Sequence, residues 1–328
     1  MTAGLSAPTR DWMQKGDFAR VGGHRMFHLD VGPVRPSGPT LVFVHGFPTS
    51  SRDWWGTIEI LRDTHRCVAM DLLGFGLSDK PEAWSYSLFQ QADLVEELLD
   101  QLAVDRAHVV SHDMGTSLHT ELLARHPRNR PGPNHDADTA PHTELLSRRR
   151  RNRPGPEIVG STFLNGSILK GEATLTRFQQ ILETPSSVPR AMEICRDMVP
   201  GYVEGLRRLM ANPRCVDEEE ATIMTELLAH RNGNERIPAV YSYVRERYLH
   251  TNRWLGAIGA ACEVMPVQFV WGEADPVANV EMGRALAAMF PAADYHELSG
   301  VGHFTPLEAP TEVAHHVAHL QAGLSPAG

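Results

Sequence analysis

Short apolar runs alternate with stretches of helical periodicity along this chain. Residues Leu88–Leu102 carry apolar side chains at positions 94, 95, 98, 99 and 102, a spacing that places them on one face of a helix. The apolar runs are continuous rather than alternating, which is typical of strands covered on both faces. The pattern therefore predicts an α/β fold, with a mostly parallel sheet and helices on both of its faces. The predicted strands are Thr40–Gly46, Arg66–Leu72, Ala107–Ser111, Glu157–Leu164 and Val267–Gly272.

The alternation of strands and helices is interrupted between residues 166 and 265. This stretch has helical periodicity almost throughout and is divided by prolines. Because the strand pattern resumes at Val267, we expect a core formed by residues 1–165 and 266–328, with residues 166–265 inserted as a helical cap domain. The predicted helices of the cap are Leu175–Leu182, Ala191–Val199, Val203–Met210, Asp217–His230 and Pro238–His250.

A segment of 23 residues is repeated in tandem. Residues 111–133 and 134–156 are identical at 15 of 23 positions. Only the first copy follows a predicted strand and has a glycine, Gly115, at its fifth position, where the second copy has Asp138. We therefore interpret residues 134–156 as a duplicated insertion, and its run Arg148–Arg151 as part of a solvated loop.

Composition and charge narrow the class of protein. The chain has 328 residues, of which 42% are hydrophobic, enough to form a full core. A formal net charge of −9 argues against a nucleic-acid binder. No apolar run approaches the ~20 residues of a membrane span, and the N-terminal residues lack the apolar segment of a secretory signal. The four cysteines show no C-x-x-C spacing, so we expect a cytoplasmic protein with reduced thiols. The histidines form no credible metal-binding pattern, and no metal site is predicted.

The segment Ser111-His112-Asp113-Met114-Gly115 lies between a predicted strand and a predicted helix. A nucleophile at such a tight turn needs small residues two positions before it and two positions after it. Ser111 and Gly115 meet this requirement for Asp113, whereas no G-x-S-x-G motif occurs in the chain. The segment predicts a carboxylate nucleophile. A turn in which Asp113 only caps the following helix is the alternative interpretation.

Two further polar residues follow later predicted strands. Asp275 lies in the segment WGEADP, just after the strand that ends at Gly272, and His303 lies in the glycine-rich segment GVGHF. The order of nucleophile, acid and histidine is that of α/β-hydrolases. Because the carboxyl ends of parallel strands meet at one edge of a sheet, these side chains are expected to converge. The sequence therefore predicts a catalytic triad of Asp113, Asp275 and His303.

The segment His45-Gly46-Phe47-Pro48 follows the first predicted core strand. A loop in this position can direct backbone N–H groups at a negatively charged oxygen. We expect the amides of Phe47 and Met114 to be these donors. A simple turn that ends the strand is the alternative interpretation.

These segments together resemble the α/β-hydrolase superfamily, in its branch with an aspartate nucleophile. This branch contains the epoxide hydrolases and the haloalkane dehalogenases. Residues 231–237 and 253–257 of the predicted cap most resemble mesoderm-specific transcript proteins. The resemblance implies a cofactor-independent reaction, in which the aspartate forms an alkyl ester and a histidine activates water to hydrolyse it. The segments that carry the resemblance are HGFPTSSRDWW, DLLGFGLSDKP, SHDMGTS, WGEADPVA and GVGHFTPLEAP.

The resemblance also implies where a leaving group is stabilised. Epoxide opening needs acidic O–H donors, which the family takes from tyrosines of the cap. Tyr243 is the preferred donor here, with Tyr241 beside it in sequence, while Tyr202 and Tyr248 are further cap tyrosines. Trp54 is a candidate to line the pocket, although ordinary core packing remains the default for a tryptophan. Asn165, at the end of the last strand before the cap, either faces the site or simply forms the turn.

The sequence thus predicts a hydrolase without cofactor that uses water to open epoxides of small apolar molecules. Haloalkane dehalogenases often bind halide with a Trp directly after the nucleophile and with an Asn or Trp in the HG-x-P loop. Met114 and Phe47 stand at these positions, so a dehalogenase is the second hypothesis. Met114 also departs from most epoxide hydrolases, which carry Trp there. A catalytically idle scaffold that acts as a binding protein is the third. No oligomeric state is predicted.

Overall fold

The computed structural model describes residues 4–126, 155–169, 174–183 and 188–324. Eight strands in these ranges form one sheet in the order β1-β2-β4-β3-β5-β6-β7-β8. The strands are β1 (Asp17–Val21), β2 (His24–Val31), β3 (Thr40–Val44), β4 (Cys67–Met70), β5 (Arg106–His112), β6 (Glu157–Leu164), β7 (Val267–Gly272) and β8 (Asp294–Leu298).

Helices precede, connect and follow these strands. Outside residues 166–265 they are α1 (Ala7–Gln14), α2 (Trp55–Leu61), α3 (Leu88–Gln101), α4 (Met114–Arg125), and, after β7, α11 (Val280–Met289), α12 (Thr305–Glu308) and α13 (Pro310–Ala322). Between β6 and β7 they are α5 (Arg177–Glu183), α6 (Val188–Asp197), α7 (Tyr202–Arg207), α8 (Glu218–Ala229), α9 (Ile237–Val240) and α10 (Tyr243–Val264).

The sheet is mostly parallel, as the sequence predicts. Strand β1 pairs antiparallel with β2, and β2 pairs antiparallel with β4, whereas all neighbours from β4 to β8 run parallel. Strands β3, β4 and β7 are buried at every position, which explains their continuous apolar runs. The sequence pattern does not reveal β1 and β2, because exposed and half-buried positions dominate β1 at the edge of the sheet.

Apolar side chains pack in two buried clusters on opposite faces of the sheet. In β3, Val42 and Val44 belong to one cluster, whereas Leu41 and Phe43 belong to the other. This division follows from the alternation of side chains along a strand. Helices α3 and α4 contribute to the first cluster, and α2 and α13 contribute to the second. The predicted covering of both faces is confirmed.

The insertion, residues 166–265, contains only helices and turns where the structure describes it. The predicted helix Pro238–His250 is wrong in its bounds. It is divided after Val240, and α10 then runs for 22 residues to Val264. Helix α10 packs along α4, which follows Asp113. The insertion therefore lies against the helix that begins at the predicted nucleophile, while its status as a separate domain stays a prediction.

The predicted duplication, residues 134–156, falls outside the described residues except for its last two positions. No helix in the described ranges is long and apolar enough to cross a membrane. The same ranges contain no group of three or more His, Cys, Asp or Glu side chains that could hold a metal ion.

Candidate active site

Asp113 occupies a tight turn between β5 and α4. Its backbone angles are φ 48° and ψ −116°, in a region that L-residues rarely adopt. Its side chain makes no capping hydrogen bond to α4, so the alternative of a plain helix cap is not what the structure shows. Instead, the Thr116 hydroxyl donates to the Asp113 carbonyl over 2.6 Å. The turn thus leaves the carboxylate available for other contacts.

Two glycines allow the backbone to approach closely around Asp113. A Cβ on Gly46 would lie 2.7 Å from the Cβ of Asp113, and a Cβ on Gly115 would lie 2.6 Å from the carbonyl oxygens of Val44 and His45. Neither position has room for a side chain. The small residue that the motif requires two positions after Asp113, Gly115, therefore has a steric reason.

The two carboxylate oxygens of Asp113 have different surroundings. The Phe47 amide donates to Oδ1 over 2.8 Å, whereas Oδ2 lies 3.8 Å from Nε2 of His303. Of the two predicted donors, Phe47 is in place, and the amide of Met114 makes no hydrogen bond to the carboxylate. The side chain of Asp113 is 3% exposed.

His303 is oriented by Asp275. Its Nδ1 lies 2.8 Å from Oδ2 of Asp275, and Oδ1 of Asp275 accepts from the amides of Val277 at 2.7 Å and Ala278 at 3.1 Å. Burial alone would lower the pKa of His303. The charge and hydrogen bond of Asp275, with the charge of Asp113, outweigh it and raise this pKa to about 9.

The sequence suggests that Asn165 faces the site or forms the turn. In the structure its side chain instead holds Asp275. Its side-chain N–H donates to Oδ2 of Asp275 over 2.7 Å, and its carbonyl oxygen accepts from the Gly272 amide over 3.0 Å and from the Thr305 hydroxyl. It has a positive φ of 40°, a conformation that Asn tolerates better than most residues. Asn165 thereby joins the end of β6 to the carboxylate that follows β7.

The two other histidines of the predicted motifs have structural contacts. His45 accepts the Leu72 amide at Nε2 over 3.1 Å and packs against Phe75. His112 lies with Nε2 2.8 Å from the carbonyl oxygen of His303. Burial lowers the pKa of both imidazoles, that of His112 to about 4. Both are therefore neutral at pH 7, and His112 fixes the backbone that carries His303.

Sequence reasoning missed Glu308, which also shapes the His303 loop. Its carboxylate accepts four backbone N–H groups, one of them from Gly302 at 3.0 Å and one from Phe304 at 3.2 Å. The other two come from residues 211 and 212 of the insertion. Glu308 thus ties the insertion to the loop. No local motif signals the contact with the insertion, because residues 211 and 212 are distant from Glu308 in sequence.

The predicted tyrosines lie on the insertion side of the turn. The rings of Tyr243 and Tyr241 are centred 5.8 and 5.6 Å from the ring of Phe47. Burial raises the pKa of Tyr243 well above its usual value, and the negative charge of Asp113 adds to this. Tyr202 instead donates its hydroxyl to the Pro48 carbonyl over 3.0 Å.

The structure corrects the prediction for Trp54. Its ring packs 5.2 Å from the ring of Phe43, in the apolar cluster opposite to the one that contains Phe47 and Tyr243. The aromatic content of the segment indicates burial, but not the face on which the ring is buried.

Two adjoining clefts open where the insertion meets the loop after β3. Pro48, Thr49, Leu227 and Leu228 line both of them, and Asp113 lines neither. With its low exposure, Asp113 is closed off from solvent in this conformation.

This arrangement can carry out a two-step displacement. A carboxylate with one oxygen fixed by an N–H group can attack with its other oxygen, and an imidazole oriented by a second carboxylate can then remove a proton from water. These groups come from the carboxyl ends of β3, β5, β7 and β8 or the loops that follow them. Their convergence at one edge of the sheet is as predicted.

Two relatives match most of the chain. The "Putative hydrolase LipZ" of Mycobacterium tuberculosis is 35% identical over 321 residues, which are 98% of each chain. The mesoderm-specific transcript protein of Mus musculus is 30% identical over 277 residues, which are 83% of this chain and 75% of the relative. The resemblance to the latter group is confirmed.

Solved structures show the same fold. The haloalkane dehalogenase DbeA from Bradyrhizobium elkani USDA94 has a TM-score of 0.71 at 22% identity and covers 94% of this chain and 99% of its own. The epoxide hydrolase CorEH has a TM-score of 0.68 at 19% identity, with the same coverage. At these identities the likeness concerns the fold alone.

The sheet order, the converging polar groups and these relatives agree with one further match. The sequence profile of the alpha/beta hydrolase fold family matches residues 39–310. The chain therefore belongs to the α/β hydrolase fold family.

Proposed function

We propose that this protein is an epoxide hydrolase with Asp113 as its nucleophile, His303 as its base and Asp275 as the acid that orients the base. In this proposal the insertion acts as a cap over the reacting groups. The observation that carries the proposal is the unequal environment of the two oxygens of Asp113.

The first step uses Oδ2 of Asp113. This oxygen attacks an epoxide carbon, the carbon–oxygen bond of the ring breaks, and a hydroxyalkyl ester of Asp113 forms. Oδ1 becomes the carbonyl oxygen of the ester and already accepts the Phe47 amide over 2.8 Å. The same N–H group then stabilises the negative charge that develops on Oδ1 when water attacks the ester.

The ring oxygen leaves as an alkoxide and needs a proton. Tyr243 is the donor in our proposal, because its buried ring packs against Phe47, whose amide contacts Asp113, and its raised pKa keeps the hydroxyl protonated until the ring opens. The side chains of Phe47 and Met114 have no N–H group that could bind a halide. This composition favours an epoxide over a haloalkane.

His303 acts in the second step. Its raised pKa depends in part on the charge of Asp113, and that charge disappears when the ester forms. The pKa of the imidazole therefore falls at the stage where a neutral base is required. His303 removes a proton from water, the hydroxide attacks the ester carbon, and a diol leaves while Asp113 is restored. The proton taken from water replaces, through solvent, the one that Tyr243 donated.

A substrate panel tests the assignment. Styrene oxide and 1,2-epoxyhexane represent epoxides, 1-chlorohexane represents haloalkanes, and products are separated by chromatography. We expect diols from both epoxides with the wild type and none with Asp113→Asn. Release of chloride without diol formation would assign a dehalogenase, and no product from any compound would favour an idle scaffold.

A further inference from the structure

Arg247 carries a buried charge that the proposed reaction does not use. It lies on α10 and is 5% exposed. Its Nε donates to the Ser117 hydroxyl over 2.9 Å, and its guanidinium carbon lies 5.0 Å from the centre of the Tyr243 ring. Its Nη2 is buried and has no hydrogen-bond partner. Among the residues that the structure describes, no carboxylate lies within ion-pair distance of this guanidinium.

The neighbouring arginines at the contact between α4 and α10 are paired. Arg125 lies 2.8 Å from Asp93 and 2.9 Å from Glu96, and it also contacts Glu121. Arg253 lies 3.2 Å from Glu121. Burial of a charge is costly unless a counter-charge or hydrogen bonds compensate it. Arg247 has one side-chain hydrogen bond, from Nε to a neutral hydroxyl, and a buried Nη2 without a partner, so an anion would complete its hydrogen bonds and balance its charge.

The unpaired guanidinium faces the same region as Asp113. Ser117 lies in the first turn of α4, the helix that begins directly after Asp113. Tyr243, over which Arg247 lies, packs against Phe47, and the Phe47 amide contacts Asp113. Arg247 thus reaches from the insertion to the first turn of α4 and to Tyr243.

We propose that Arg247 binds a carboxylate group of the substrate, so that the preferred substrates are epoxides that carry a carboxylate a short chain away from the ring. This inference rests on the proposed function, because it places the carboxylate and the epoxide in one site. A planar guanidinium with free N–H groups matches a carboxylate in shape and charge. Under this proposal the substrate is not purely apolar, as the sequence suggests, but carries one carboxylate.

Binding of unreactive ligands tests this inference without any turnover. The probes are straight-chain carboxylates from propanoate to octanoate, each compared with its primary amide by isothermal titration calorimetry. We expect one or more of the carboxylates to bind at least tenfold more tightly than the matching amide. Arg247→Gln should remove this preference, and Arg247→Lys should retain part of it. Arg245→Gln makes the same charge change at an exposed position of α10 and should leave it intact.

Equal affinity for carboxylates and amides in the wild type overturns the inference, as does a carboxylate preference that survives in Arg247→Gln. Absence of carboxylate binding up to the solubility limit also overturns it. If Arg247→Gln does not fold, the affinities of the wild type and of Arg247→Lys for carboxylates and amides still test the inference.

The result is separable from the proposed reaction. Asp113→Asn cannot form an ester and should still prefer carboxylates. Failure of ester formation with neutral epoxides would therefore count against the proposed function and leave the binding result unchanged.

Discussion

The Phe47 amide donates to Oδ1 of Asp113 over 2.8 Å, and this contact makes the two oxygens of one carboxylate unequal. Oδ1 is fixed against the loop after β3, whereas Oδ2 lies on the side of His303, at 3.8 Å from its Nε2. An oxygen that is held by an N–H group suits the carbonyl of an ester intermediate, and the other suits attack. The proposed reaction depends on this geometry and on the groups that maintain it.

Gly46→Ala should disturb this contact directly. The new Cβ would lie 2.7 Å from the Cβ of Asp113 and 3.0 Å from its Oδ1. We expect at least a tenfold slower formation of the ester and a loss of about 1–3 kcal/mol of unfolding free energy from overpacking. Rapid-quench kinetics with styrene oxide and urea denaturation measure the two effects.

Gly256→Ala is the matched control. Gly256 lies within α10, and a Cβ there would meet nothing within 4 Å. Alanine should stabilise the helix by about 0.5–1 kcal/mol and leave the rate unchanged. A normal rate in Gly46→Ala would contradict the proposed role of the close approach.

The titration of His303 should depend on Asp113. We expect a pKa of about 9 for His303 in the resting protein, because Asp275 and Asp113 favour the imidazolium despite burial. Asp113→Asn removes one negative charge and should lower this pKa. NMR titration of the histidine ring measures both values. A pKa near 6.5 in the wild type would show that the two carboxylates do not act on His303 as the structure indicates.

Activity should follow the pKa of the ester form. Because the ester has lost the charge of Asp113, the acid limb of kcat, on which activity rises as His303 loses its proton, should have an apparent pKa below the value of the free protein. The pH dependence of kcat with 1,2-epoxyhexane measures it. An apparent pKa at or above about 9 would contradict this order of events.

Asn165→Gly should weaken the orientation of Asp275 without straining the backbone. Glycine adopts the φ of 40° readily, but the hydrogen bonds to Asp275 and from Gly272 are lost. A loss of about 1.5 kcal/mol, at the lower end for a hydrogen bond to a charged group, corresponds to a kcat that is lower by roughly tenfold. An unchanged kcat in a folded Asn165→Gly protein would show that Asn165 does not orient Asp275 for the reaction.

Asp53 should make stability depend on pH. Burial raises its pKa from 3.8 to about 8, so ionisation is easier in the unfolded chain than in the folded protein. The folded state therefore loses stability as the pH rises from 3.8 to about 8. Asp53→Asn should gain stability relative to the wild type across this range, as urea denaturation at pH 5 and pH 8.5 can show.

Asp63→Asn is the control for this comparison, because Asp63 is exposed. The difference in unfolding free energy between Asp63→Asn and the wild type should be the same at both pH values. An Asp53→Asn advantage that is equal at both pH values would contradict the burial argument.

The convergence of three polar side chains could be predicted from the sequence because each of them belongs to a short motif at the end of a strand. Asp113, Asp275 and His303 need only the correct fold to meet, and the alternation of strands and helices predicts that fold. The contact of Phe47 with Asp113 follows from the same logic.

Other contacts depend on tertiary packing that no local pattern encodes. Asn165 and Asp275 are separated by 110 positions, and Ser117 and Arg247 by 130. The sequence suggests that Trp54 is buried, but only the structure shows that it packs on Phe43. Strands β1 and β2 were missed because β1 is a mostly exposed edge strand and polar residues interrupt the apolar positions of β2.

The proposed reaction requires a covalent ester on Asp113. Intact mass spectrometry of His303→Ala, which should not hydrolyse this ester, can detect it directly. Incubation with styrene oxide should increase the mass of this variant by one substrate molecule, and peptide mapping should place the adduct on Asp113. The double variant Asp113→Asn/His303→Ala should show no increase. Absence of an adduct in His303→Ala, or an adduct on another residue, would contradict the account.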